Sequence, residues 1–242
     1  MEELRIQKYL ADCGVCSRRA AEAAIAAGLV TVNGSIAGIG QKIDPETDLV
    51  FYEGRRVLPQ SAQKHYILLN KPRGIVCTAK DEKGRAPVTD LVKLEGVRLY
   101  PVGRLDMDSD GLLFLTDDGD FANRLTHPRH EIPKIYEVTF RAPLTGEQIG
   151  ALSAPMELDG YPLLPVGVRP LAPDKLEMTL WEGRNRQIRR MCEQVGLKIA
   201  RLSRVAVGNV RLGSLPAGKW RFLTAEEVQY LLKALPAATV VM

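Results

Sequence analysis

The stretch GRLDMDSDGLLFLTDDGD, residues 103–120, decides how the rest of the chain is read. LYPVG (99–103) leads into Arg104-Leu105-Asp106, a polar run continues to Gly111, and GLLFLT (111–116) follows as an apolar strand. The pattern is strand, turn, strand. An acidic side chain at such a junction projects into a cleft while the strands hold it rigid. A neighbouring arginine favours the ionised carboxylate that a nucleophile or base needs. The same stretch imitates a calcium loop, because Asp106, Asp108, Asp110, Gly111 and Asp117 fall at EF-hand positions one, three, five, six and twelve. That reading fails on chemistry: position twelve is Asp instead of a bidentate Glu, Phe114 takes a polar position, and no helix pair flanks the loop. Asp110, Asp117, Asp118 and Asp120 read as turn residues that cap backbone amides.

Working outward, the chain divides near Pro59. In residues 1–58, Leu4, Ile6, Tyr9 and Leu10 recur at helical spacing up to Gly14. Ser17 is a good N-cap for an alanine-rich second helix that stops at Gly28. LVTVNGSIAG (29–38) places Asn33-Gly34 between two β-prone runs, a hairpin signal, and DLVFYEG (48–54) reads as a further strand. PQSAQK (59–64) is a polar, proline-led linker. Residues 65–242 form a larger α+β part, with strands expected at 65–72, 97–103, 111–116, 134–140, 174–181 and 219–223 and a closing amphipathic helix at 226–235. Few of these strands alternate with helices, so a mixed, mainly antiparallel sheet with flanking helices is expected.

Composition is that of an ordinary globular protein, with 45% hydrophobic and 26% charged residues, and the net charge of +4 permits a polyanionic partner without demanding one. The distribution says more. Residues 181–220 hold nine basic residues against Glu182 and Glu193, a surplus of seven, and seven of the nine are arginines, whose planar fork suits phosphate. Lys8, Arg18 and Arg19 add basic charge to the first part; cations opening a helix oppose its dipole unless an anion joins them. Cys13 and Cys16 form one CxxC pair, but Cys77 and Cys192 lie far apart and the three histidines fall at no ligand spacing, so no metal site is expected. The charged start MEELRIQKYL and the lack of a long apolar run point to a cytoplasmic protein with free thiols and no membrane contact.

Residues 103–138, GRLDMDSDGLLFLTDDGDFANRLTHPRHEIPKIYEV, closely resemble the catalytic segment of bacterial ribosomal RNA pseudouridine synthases, in the subgroup containing the small-subunit enzyme A and the large-subunit enzymes B, E and F. LLNKPRG (68–74) is similar to the motif that opens the family's catalytic domain, WEGRNRQIRRM (181–191) to its third motif, and residues 1–58 resemble the RNA-binding domain named after ribosomal protein S4. The resemblance implies that Asp106 is the nucleophile, that Tyr136 in Lys134-Ile135-Tyr136-Glu137-Val138 is the active-site tyrosine, and that Arg189 pairs with Asp106. Leu176 or Leu180 would supply an apolar floor. In the turn after RLD, here Met107-Asp108-Ser109-Asp110-Gly111, Ser109 and Asp110 depart from the family's usual form while Asp106 and Gly111 are retained, which bears on substrate contacts more than on the reaction. Lys8, Arg18, Arg19, Arg104, Lys134, Arg184, Arg186 and Arg190 are the expected RNA contacts. Such enzymes need no cofactor or metal. They flip a uridine from the RNA, and Asp106 would attack the sugar or assist departure of the base while Tyr136 stacks on it. The expected partner is ribosomal RNA or an assembly intermediate, with no obligate protein partner. GRNRQIRRM and FANRLTHPRHEI look closer to the large-subunit type B enzymes, which favours 23S over 16S RNA. A noncatalytic ribosome-assembly factor would share the basic stretch and the first domain, but it would not require Asp106, Tyr136 and Arg189 together.

Overall fold

The computed structural model describes residues 3–59, 63–78 and 84–233, and contacts gather the chain into two units. One comprises residues 1–64 with the short stretches 95–98 and 117–119; the other takes 65–94, 99–116 and 120–242. Residues 60–62 of the expected linker and 234–235 of the expected closing helix lie outside the described residues. Among the described residues, no helix is long and apolar enough to cross a membrane.

The first unit runs β1 (Leu4–Arg5), α1 (Ile6–Asp12), α2 (Arg18–Ala26), β2 (Val30–Val32), β3 (Ser35–Ile36), β4 (Lys42–Ile43), β5 (Val50–Tyr52) and β6 (Arg55–Arg56). Leu4 is not helical, contrary to its spacing: β1 pairs antiparallel with β4, and Arg5 keeps extended dihedrals as the helix N-cap. Apolar period alone does not show where a strand partner captures the backbone. Ser17 caps α2 by accepting from the Ala20 N–H at 3.1 Å. Asn33 and Gly34 both take positive φ, 50° and 85°, as a two-residue primed turn between β2 and β3 requires. The four-stranded sheet has the order β3-β2-β5-β6, and Ile6, Leu10, Ile25, Val30 and Val50 lead the core beneath it. Cys13 is the C-cap of α1 and is buried.

The second unit contains β7 (Tyr66–Lys71), β8 (Tyr100–Val102), β9 (Asp110–Thr116), α3 (Gly119–Thr126), β10 (Lys134–Phe140), α4 (Gly146–Ser153), the small hairpin β11 (Glu157–Leu158) and β12 (Tyr161–Pro162), β13 (Gly167–Ala172), β14 (Lys175–Leu180), α5 (Gln187–Gln194), β15 (Ile199–Val207), β16 (Val210–Arg211), β17 (Trp220–Phe222) and α6 (Ala225–Leu232). Its nine-stranded sheet has the order β13-β14-β10-β15-β9-β7-β17, with β8 added beside β9 and β16 beside β15. The sheet is mixed and mainly antiparallel: only β9 and β15 run parallel, and they share just two register pairs, Ser203↔Asp110 and Arg204↔Gly111. Gly111 makes this seam possible. Its φ is 107°, and a Cβ built there would lie 2.3 Å from the Arg204 carbonyl oxygen, so no other residue fits.

The seam separates two cores. On one side Leu68, Leu112, Phe114, Phe121 and Leu231 pack β7 and β9 against α3 and α6. On the other, Val138, Leu152, Leu176, Met178 and Met191 pack β10 and β14 against α4 and α5. Burying a side chain of this size stabilises by roughly 1.5–3 kcal/mol each, so both halves are rigid walls. Capping boxes fix α4 and α6: Thr145 pairs reciprocally with Gln148, and Thr224 with Glu227.

Candidate active site

Asp106 sits in the turn between β8 and β9, which ends at the seam. The turn is closed by the Ser109 N–H donating to the Asp106 carbonyl at 3.1 Å. Beneath it lies Lys71, fully buried at the end of β7, whose ammonium donates to the carbonyls of Pro72 (3.0 Å), Asp106 (3.1 Å) and Ser109 (2.8 Å). Burial lowers the Lys71 pKa, while Cys77 and the aspartates of the turn oppose that shift. Three carbonyls converging on one buried cation pin the turn that aims Asp106. Sequence reasoning noted LLNKPRG only as a strand motif; a lysine ending an apolar strand was the available signal.

Arg189, in the first turn of α5, brings its Nε to 3.6 Å from Asp106 Oδ2. That is an ion pair beyond good hydrogen-bond length, and Nε is buried without a hydrogen-bond partner. The other end of the guanidinium is occupied: Nη2 donates to the Asp108 carbonyl at 3.1 Å and to Ser109 Oγ at 3.0 Å. Arg186 approaches Asp106 Oδ2 at 3.4 Å and Asp108 Oδ1 at 3.3 Å. As the N-cap of α5 it takes left-handed dihedrals (φ 50°), a strained position for an arginine that costs roughly 1–3 kcal/mol. Burial pushes the Asp108 carboxyl up, but Arg186 and Arg189 more than offset this and hold it below the ordinary carboxylate range. The sequence does not disclose that Asp108 and Ser109 hold Arg189, because that contact depends on a helix about 80 residues further on.

A cavity of about 440 Å³ opens over the seam where the two cores meet. Asp106, Tyr136 and Arg104 line it, with Lys134 and Arg204, and Val102, Phe114 and Leu125 form an apolar wall. Tyr136 reaches it from β10, where its register partners are Met178 and Arg204. Leu180 lines the cavity, whereas Leu176 is buried in the core. Arg184 and Arg186 also line it; Arg184 is paired with Glu182 at 3.1 Å and lies over the Tyr161 ring, 5.5 Å from its centroid. Arg189 does not line the cavity and meets it through its ion pair with Asp106. Arg190, on the same helix, instead makes a two-pronged pair with Asp159 and holds the β11–β12 hairpin to α5. In the first unit Arg18 and Arg19 are exposed, and Lys8 pairs with Asp12 at 2.7 Å.

Asp110 requires a correction. It is no turn cap: it is the first residue of β9, and its carboxylate is 8% exposed and accepts from Arg201 Nε at 3.0 Å and Nη2 at 3.1 Å. The seam pairing with Ser203 draws this residue into the strand.

A cleft over a mixed sheet, holding an arginine-flanked carboxylate and a tyrosine, accords with the matches to known proteins. The model for RNA pseudouridylate synthases matches residues 65–194, and that for the S4 domain matches residues 4–49, so the class is that of the RNA pseudouridine synthases, isomerases that turn uridine into pseudouridine. The chain is 40% identical over 233 residues to the dual-specificity RNA pseudouridine synthase RluF of Escherichia coli, covering 96% of this chain and 79% of that one. It is 40% identical to the ribosomal large subunit pseudouridine synthase B of Bacillus subtilis, covering 94% of this chain and 95% of that one. A crystal structure of a pseudouridylate synthase superposes with a TM-score of 0.70 at 32% identity, covering 95% of this chain and all of that one. The chain belongs to the RsuA family of RNA pseudouridine synthases and carries their S4 domain.

Proposed function

We propose that the chain isomerises a uridine of ribosomal RNA, of the 23S molecule in preference to the 16S, with Asp106 as the essential carboxylate. The observation that carries this reading is Asp106 itself, on a turn pinned by Lys71 and flanked by Arg186 and Arg189, lining the same cavity as Tyr136. The uridine is flipped into the cavity, since a stacked base is out of reach. Asp106 attacks the sugar or assists departure of the base, and Arg189 keeps it ionised and oriented. Tyr136 stacks on the uracil over the apolar floor that Leu180 provides, and its phenol helps remove the proton from the new carbon linkage. Arg104, Arg184 and Arg186 take the nucleotide and its phosphates at the cavity, while Lys8, Arg18 and Arg19 of the S4 domain hold the RNA backbone.

The ribosomal target is supported by relatives such as the Bacillus subtilis large-subunit enzyme. The test is a map of pseudouridines in ribosomal RNA from cells with the protein, without it, and with Asp106→Asn in its place. One or more 23S positions should lose the modification in the second and third cases. An unchanged map refutes the target, and a restored map with Asp106→Asn refutes the carboxylate.

A further inference from the structure

Lys134 and Arg204 line the cavity, and neither has a carboxylate partner among the described residues. Lys134 and Tyr136 lie two residues apart on β10, hence on one face and about 6.6 Å apart along the strand, a separation one pyrimidine can bridge. Arg204 faces them from β15 as the register partner of Tyr136. All three line the cavity. Arg204 uses one N–H on the Leu112 carbonyl at 2.8 Å, and among the described residues no carboxylate pairs with it or with Lys134. The cavity's acids are engaged elsewhere: Asp106 by Arg186 and Arg189, and Glu182 by Arg184 and Gln187. Burial, reinforced by the repulsion of Arg204, brings the Lys134 ammonium down to about 8. Two like charges against an apolar wall, with no counter-ion, are costly unless the working state supplies negative charge.

We propose that Lys134, with Arg204 beside it, is the seat for the negative charge that uracil carries while it is detached from the ribose. The inference rests on the reading of Asp106 and Tyr136 given above. When the C1′–N1 bond breaks, its electron pair leaves with the base and spreads from N1 to the O2 and O4 oxygens. The Lys134 ammonium donates a hydrogen bond to one of these oxygens. C1′ is left electron-deficient or esterified to Asp106. After the ring turns, an electron pair from the ring forms the C1′–C5 bond as that deficiency or ester bond is resolved. The C5 proton passes by way of the Tyr136 phenol to solvent, and N1 takes up a proton from solvent, so atoms and charge balance with no co-reactant. A permanent backbone phosphate in the same seat would be bound equally before and during reaction and would add affinity. Charge that exists only during the rearrangement turns the same contact into rate.

The test measures RNA affinity and single-turnover rate separately for Lys134→Gln and Lys134→Arg, on RNA carrying uridine or 5-fluorouridine at the target. Lys134→Gln should slow cleavage of the N-glycoside on the order of 10²–10³-fold, the loss seen when a transition-state donor is removed, with the dissociation constant within about threefold of wild type. That unchanged affinity also certifies the fold. Lys134→Arg should recover part of the rate. Fluorine acidifies the ring and eases its departure as an anion, so the Lys134→Gln penalty should shrink about tenfold or more on the fluorinated RNA. Weakened affinity with intact rate would mark a phosphate seat and overturn the proposal, as would equal penalties on the two substrates. If Asp106→Asn is inactive while Lys134→Gln is as fast as wild type, only this proposal falls; if Asp106→Asn is active, the reading of the site falls first.

Discussion

Within five residues of one turn, two aspartates meet arginines in opposite ways. Asp110 is nearly buried, and Arg201 closes on it with two aligned hydrogen bonds at 3.0 and 3.1 Å. Asp106 is 29% exposed, its arginines stand off at 3.4 and 3.6 Å, and an N–H of Arg189 is left without an acceptor. The first pair is saturated and has nothing left to offer a ligand. The second orients its carboxylate while leaving lone pairs and a donor unused. Nearness of Asp to Arg therefore does not by itself identify a working pair; the unused hydrogen-bonding capacity does.

The contrast can be broken at several points. Asp106→Asn should lower the single-turnover rate by 10⁴-fold or more, with melting temperature and RNA affinity near wild type; substantial residual turnover would remove Asp106 from its role. Arg189→Gln should cost about 10²–10³-fold in rate, because the shorter neutral amide supplies no charge beside Asp106 and gives up the Nη2 contacts with the turn. Lys71→Met should show mainly as stability, about 3 kcal/mol by urea denaturation, since three carbonyls lose a buried donor. Retained stability would show that the turn is held by its neighbours. Asp110→Asn should be mildest, about 1 kcal/mol in stability with turnover of the folded protein unchanged, because Arg201 is 63% exposed and water replaces its partner.

The pH profile gives a further measurement. Charged or titratable groups sharing the cavity with Lys134 include Tyr136 on its own strand, Arg204 on β15, and Arg104, Asp106 and His127 on the other walls. Lys134 loses its proton as pH rises through about 8, so a step that needs the ammonium should slow by up to tenfold per pH unit above that point. Lys134→Gln should flatten that limb. A decline of equal steepness in the variant would assign it to another group.

Legibility in the sequence followed locality. The apolar run 111–116 and the β-prone stretch 134–140 were plain, as was the Asn33-Gly34 hairpin. β15 was not, because Arg201 and Arg204 interrupt IARLSRVAV and made it look like part of a charged surface. β13 was hidden by Pro170, which an edge strand tolerates. At the site, Asp106, Tyr136 and Arg189 stood out through motifs. Lys71, Asp108 and Ser109 did not, because their work is done by contacts with residues remote in sequence. Arg190 shows the converse: beside Arg189 in the chain, it faces another way and meets Asp159.

At position 111 the peptide touches that of Arg204 with no room for a methyl group. The segment that delivers Asp106 and the strand that delivers Arg204 are therefore gauged against each other by main-chain atoms, to within the width of a carbon. Side chains around the opening can be exchanged without changing that spacing. The width of the cleft is thus set by the backbone, and a bulkier residue at 111 would act as a shim, prising apart its two halves even where every wall residue is intact.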